Sequence, residues 1–305
     1  MQPDKYTNQE LFVEVGDGHE LYVQDWGNPK AKQVIFSLHG GPGSASRDKH
    51  KAGFNPETQR VIFHDQRGCG RSLPYGSIEH NTTKELTEDI SKIADKLDIK
   101  TFILTGGSWG SCLALTYALK HPKRVSAMIL RGIFTGSQGE IDWIDEGLFK
   151  DFYPESWQAY LEATPTKHRN NPSAYHHKQI LSDDAESIKK SAYAYGCLEG
   201  SVMALDDRFI ADDYTTFDPA GTKIEMYYLQ NRCFLPDRYI LNNAHKLAMP
   251  VWLVQGRYDM VCPPITAYEL DNAMPDSQLI WTLGGHQAEH ETWNIMRSIL
   301  LQLTA

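Results

Sequence analysis

A series of short apolar runs, each stopping at a glycine-rich or polar segment, constrains this chain more than any other feature. Val34-Ile-Phe-Ser-Leu38 runs into His39-Gly-Gly-Pro-Gly43, and Arg60-Val-Ile-Phe-His64 into Asp65-Gln-Arg-Gly-Cys-Gly-Arg-Ser72. Thr101-Phe-Ile-Leu-Thr105 runs into Gly106-Gly-Ser-Trp-Gly110. Strands apolar almost throughout need cover on both faces, which points to a largely parallel sheet between helical layers. The intervening segments supply the helices. Thr83 to Leu97 places Leu86, Ile90, Ile93 and Leu97 on one helical face, and Ser111 to Lys120 is closed by His121-Pro122. Val125 to Leu130 is another strand, and Leu11–Val15 and Leu21–Asp25 form a pair joined through Gly16-Asp-Gly18. In such α/β sheets ligands sit at the carboxyl ends of the strands, where these glycine-rich segments lie.

The texture changes near Gly136. From 136 to 245 the chain is rich in Trp, Tyr, His and acidic residues and reads as helix, without long β-branched runs. The strand pattern resumes with Val251-Trp-Leu-Val254 before Gln255-Gly-Arg-Tyr-Asp259, then Ser277 to Leu283 before Gly284-Gly-His286, and Thr292 to Leu301 closes as a helix. The expected organisation is one α/β core, 1–135 and 246–305, with a helical cap inserted at 136–245. The C-terminal part alone would bury too little to stand as a second domain.

Thirty basic and thirty-nine acidic residues give a formal charge of -9. That excludes nucleic acid and anionic membrane as expected partners, since phosphate surfaces are held by basic patches. The apolar runs are far shorter than the roughly 20 residues of a membrane-spanning helix. Met1 to Glu10 is polar, with no signal-peptide core, and the five cysteines are spread singly. A cytoplasmic location is expected. No H-E-x-x-H, paired-cysteine or dinucleotide-binding motif occurs, and adjacent His176 and His177 point apart on a helix. Neither cofactor nor metal is expected.

Gly106-Gly-Ser-Trp-Gly110 has the G-x-S-x-G form between a strand and a helix, the setting of a nucleophile held on a sharp turn. Ser108 is therefore the candidate nucleophile. A serine hydroxyl needs a base, and the base needs an acid to fix its tautomer. Asp259 and His286 follow late strands in the order such a fold requires. The oxyanion hole is assigned to the backbone N–H groups of Gly41 and Trp109, with Gly40 as the neighbouring register. His39 is read as a support of this loop through hydrogen bonds.

These residues carry a resemblance. With Asn81-Thr-Thr83, Gly106-Gly-Ser-Trp-Gly-Ser111, Leu130-Arg-Gly-Ile-Phe134, Phe152-Tyr-Pro-Glu-Ser-Trp157 and Gly256-Arg-Tyr-Asp259, the chain closely resembles the prolyl iminopeptidases over nearly its whole length. These are serine aminopeptidases of the α/β-hydrolase fold. The resemblance implies a metal-independent release of N-terminal proline from short peptides beneath a helical cap. It also implies that Glu199 and Glu225 receive the substrate's charged terminus, and that Phe134 and Leu229 line the proline pocket. Gly196, Leu198 and Leu229 stand where the family carries bulkier aromatic groups, so activity on alanine or other small residues is expected beside proline. Cys262 falls where the family often keeps a cysteine near the site. Two rivals remain: a small-substrate esterase or amidase with the same triad, for which the glutamates would have no use, and a non-catalytic peptide-binding module, which would have no need of a complete triad. Oligomeric state is not legible in the sequence.

Overall fold

The computed structural model describes residues 4–206 and 211–304. Among them one sheet of eight strands has the order β1-β2-β4-β3-β5-β6-β7-β8. The strands are β1 (Thr7–Gly16), β2 (His19–Gly27), β3 (Val34–Leu38), β4 (Arg60–His64), β5 (Phe102–Ser108), β6 (Val125–Ile133), β7 (Val251–Gly256) and β8 (Ser277–Thr282). β1 and β2 form an antiparallel hairpin, and β2 pairs antiparallel with β4. Every pairing from β4 through β3, β5, β6 and β7 to β8 is parallel.

Strand alternation explains why the central runs are apolar at successive positions. Phe36, Ile62, Leu104, Met128, Leu130 and Leu253 enter one buried cluster, with α1 (Thr83–Lys96) and α2 (Trp109–Lys120). Their neighbours Ile35, Val61, Ile103, Ala127, Ile129 and Val254 enter a second cluster on the other face. There Met296 and Leu300, from the C-terminal helix, cover them. Each fully buried aliphatic side chain contributes about 1.5–3 kcal/mol relative to exposure, and the double cover secures the central strands whose ends carry the polar loops.

Between β6 and β7 the described chain is helical. It holds α3 (Gln138–Asp145), α4 (Pro154–Ala163), α5 (Pro172–Ile180), α6 (Ala185–Ser201), α7 (Ala220–Gln230) and the short α8 (Tyr239–Asn243). After β7 come α9 (Pro264–Ala273) and, beyond β8, α10 (His290–Leu303). His176 and His177 are both buried on α5, and they do point to different partners. His176 Nε2 lies 3.0 Å from Thr164 Oγ1, and His177 Nδ1 lies 2.7 Å from the Gln230 amide. No helix among the described residues is long and apolar enough to cross a membrane.

Candidate active site

β5 ends on Ser108 and α2 begins at Trp109, so the serine is the junction itself. Its φ of 57° and ψ of -131° are a conformation that costs a non-glycine residue of order 1–3 kcal/mol. The surroundings hold it there. Ser111 Oγ donates to the Ser108 carbonyl at 2.7 Å and accepts from Phe134 N–H at 3.0 Å. One hydroxyl thus ties the Ser108 turn to the loop after β6.

The loop after β3 approaches the same point. Gly41 has φ +110°, and a Cβ there would lie 2.6 Å from Gly43 N, so only glycine fits. His39 supports this loop as expected. Its Nε2 accepts from Gln66 N–H at 3.0 Å, which leaves Nδ1 to donate to the Gly40 carbonyl at 2.9 Å. Burial lowers the proton affinity of His39, and that favours the neutral tautomer these bonds require. Gln66 completes the brace. Its amide donates to the His39 carbonyl at 3.0 Å and its oxygen accepts from the Trp109 indole at 2.8 Å. Gln66 therefore links Trp109 to His39 at the start of the loop that carries Gly41, a role the sequence motif does not disclose.

Asp259 and His286 meet although they leave different strands. His286 Nδ1 lies 2.9 Å from Asp259 Oδ2 and 3.0 Å from Oδ1, with both residues buried. The carboxylate also accepts from Val261 N–H at 3.0 Å, Cys262 N–H at 2.7 Å and the Gln255 amide at 3.2 Å. Gln255 is itself fixed, accepting from Ile133 N–H at 2.8 Å. A carboxylate so restrained holds the imidazole with Nδ1 protonated and Nε2 available as base. Gly132 makes room: its φ is +48°, and a Cβ there would lie 3.1 Å from His286 Cε1.

Ser108 shares a small cavity, about 30 Å³, with Gly41, Phe134, Glu140, Glu199, Glu225, Leu229 and Cys262. Ile141, Ile144 and Val261 complete its apolar side. Read in isolation, either glutamate would be an ordinary solvated helix residue, yet both face this enclosed space. Burial pushes the carboxyl of each upward, most strongly at Glu225, where the Glu199 charge adds to it. Burial likewise raises the Cys262 thiol, beside the Ser108 hydroxyl, so it is not an activated nucleophile.

Two of the residues expected to loosen the pocket lie elsewhere. Leu198 lines a larger cavity of about 710 Å³ between α4 and α6, with Tyr160, Tyr193 and Cys197, on the face of α6 opposite Glu199. Gly196 faces Phe217. Of the three departures, only Leu229 borders the Ser108 cavity. The larger cavity contains no residue of the proposed chemistry.

Residues 33–286 match the family model described as alpha/beta hydrolase fold. The chain is 37% identical over 281 residues to the proline iminopeptidase of Neisseria meningitidis, covering 91% of this chain and 90% of that one. It is 37% identical over 292 residues to the proline iminopeptidase of Arabidopsis thaliana, covering 90% and 74%. The chain belongs to the proline iminopeptidase family of α/β hydrolases. A solved proline iminopeptidase from Mycobacterium smegmatis superposes with a TM-score of 0.59 at 18% identity over 97% of both chains. An esterase from Exiguobacterium antarcticum gives 0.62 at 20% identity over 97% of this chain and 99% of that one. At such identities the likeness is of the fold alone, and that fold serves both activities.

A third carboxylate, Glu140, escaped sequence reasoning. It accepts from Thr135 N–H, Thr135 Oγ1, Ser137 N–H and Ser137 Oγ at 2.5–3.0 Å, so it pins the turn that follows Phe134. The S-x-x-E spacing from Ser137 to Glu140 was its one visible signal, a capping box at the start of α3. Asp259, Cys262 and His286 lie with ligand atoms within 4.8 Å of one another. Two of them are already bonded to each other, and the thiol is held protonated by burial. A chelator is therefore expected to leave turnover of the purified protein unchanged. Loss of activity restored by added zinc would assign this trio to a metal instead.

Proposed function

We propose that this protein is a serine aminopeptidase that releases N-terminal proline from short peptides through an acyl-enzyme. The observation that carries the reading is the pair of cavity-facing carboxylates, Glu199 and Glu225, enclosed with Ser108. A cavity reserved for a neutral ester gains nothing from two acidic groups, whose burial costs free energy without a cation to pair. A substrate's protonated imino group supplies that cation. The carboxylates would then measure one residue from the terminus to the nucleophile.

Ser108 Oγ attacks the carbonyl of the first residue as His286 Nε2 takes its proton, with Asp259 stabilising the imidazolium. The N–H groups of Gly41 and Trp109 receive the oxyanion. His286 protonates the leaving amine, then activates the water that releases proline. Segment 136–245 acts as the cap over a core of 1–135 and 246–305, and Phe134 and Leu229 are the walls of the proline site. A cytoplasmic setting suits the described cysteines, all of which are unpaired. The test is hydrolysis of a panel of amino-acid amides, each compared with its N-acylated form. Turnover indifferent to acylation would favour an esterase or amidase over this reading.

The strictness of the site is a separate expectation. An apolar pocket separates substrates differing by a few methylenes by about 10- to 200-fold. With Leu229 as the one smaller wall, proline is expected to be the best substrate and alanine measurable. A kcat/KM ratio of proline to alanine above ~10^4 would mean a selection mechanism beyond apolar fit.

A further inference from the structure

Arg131 lies half-buried near the carboxyl end of β6, and none of the assigned roles uses it. Its guanidinium forms no ion pair within 4.0 Å with any described carboxylate, and desolvation lowers its affinity for its proton. Three contacts account for its position. Nη1 donates to the carbonyl of His286 at 3.2 Å. The side chain passes so close beneath Gly107, the residue before the nucleophile, that a Cβ there would lie 2.7 Å from Cζ. On its other side the guanidinium sits 5.6 Å from the centroid of the Trp293 ring on α10. Its charge also reaches the Asp259 carboxylate and Cys262.

We propose that Arg131 is a positioning residue of the hydrolytic machinery. It spans from the strand that presents Ser108 to the loop that presents His286, and sets the distance between nucleophile and base. β5 and β6 are neighbours, but the His286 loop leaves β8 at the far edge, two strands beyond β6. The sheet alone does not fix that loop against Ser108. A rigid planar group with donors in a fixed fork, braced on a tryptophan, does. An arginine held half-buried without a carboxylate partner among the described residues fits a residue kept for function. The inference rests on the catalytic assignment of Ser108 and His286 and not on the choice of substrate.

Arg131→Met keeps the bulk and removes donor and charge, and Arg131→Lys keeps a donor and the charge. For a neutral ester and a prolyl amide alike, R131M is expected to lower kcat by ~10- to 100-fold with KM within about threefold, the size of effect that misplacing a catalytic group produces. R131K should recover most of the loss. Phosphonate labelling of Ser108 should slow in parallel, and the downfield proton resonance of His286 Nδ1–H should weaken in R131M. Melting temperature should change little, because the side chain is only half-buried. Wild-type kcat with an unaltered resonance in R131M, or an effect confined to KM, would overturn the proposal. If R131M fails to fold, Trp293→Leu removes the brace but leaves the arginine, and full activity with an unchanged resonance there would overturn it equally. Should Ser108→Ala retain ester turnover, the catalytic assignment fails first, and that result is separable from any of these.

Discussion

Replacing Ser108 with alanine is expected to lower turnover by at least ~10^4-fold while the fold and its melting temperature are kept. The expectation follows from the turn. Ser108 occupies a positive-φ conformation that alanine also finds costly, so the substitution relieves no strain, and the hydroxyl removed is the atom presented to the cavity. Its carbonyl remains tied to Ser111 Oγ, and Trp109 remains tied to Gln66. The proposed oxyanion donors therefore survive, and the residual rate reports what they and binding achieve without a nucleophile. Steady-state kinetics of a preparation free of wild-type enzyme checks the magnitude. Labelling of the wild type by a serine-directed phosphonate at any residue other than Ser108 would sink the assignment.

The parts of this molecule that repeat a local rule were legible, and the parts made by long-range convergence were not. Strand ends and the G-x-S-x-G turn follow from periodicity and from glycines at fixed offsets. Even there the boundaries moved: β5 continues through Gly106 and Gly107 to Ser108, and α2 starts at Trp109, two residues before the expected start at Ser111. Asp259 and His286 could be chosen by chain order because each follows a late strand. Gln66, Gln255 and Arg131 could not. Each acts by hydrogen bonds to residues tens of positions or more away, and a glutamine or arginine at a strand end reads as a solvated group until the topology encloses it. Leu198 and Gly196 show the converse error. The resemblance placed them in one pocket with Glu199, yet a helix turns each residue by about 100° from the last, and of the three only Glu199 lines the cavity of Ser108.

Changing Glu199 or Glu225 to glutamine is expected to cost ~2–5 kcal/mol in kcat/KM for a prolyl amide, because the pairing it removes is desolvated. Size is conserved and charge is not. The loss should be small for a neutral ester that reaches Ser108 without using the cap. Acylating the substrate's terminal nitrogen deletes the same interaction from the other side, so it should add little further loss in the glutamine variants. The pH dependence carries a second signature. Burial raises both carboxyls, and Glu225 rises further beside Glu199, so the empty pair holds a proton more tightly than exposed carboxylates do. The substrate's cation favours the fully ionised pair and displaces that proton. As pH falls through the raised range, kcat/KM for a prolyl amide should decline before that for the neutral ester, and either glutamine variant should abolish the difference. The measurement is a cycle of kcat/KM over enzyme variant, substrate terminus and pH. Additive losses would place the glutamates away from the terminus. Equal losses on the neutral ester, with no difference in pH profile between substrates, would make the pair a structural feature of the cavity wall and return the reading to a general hydrolase.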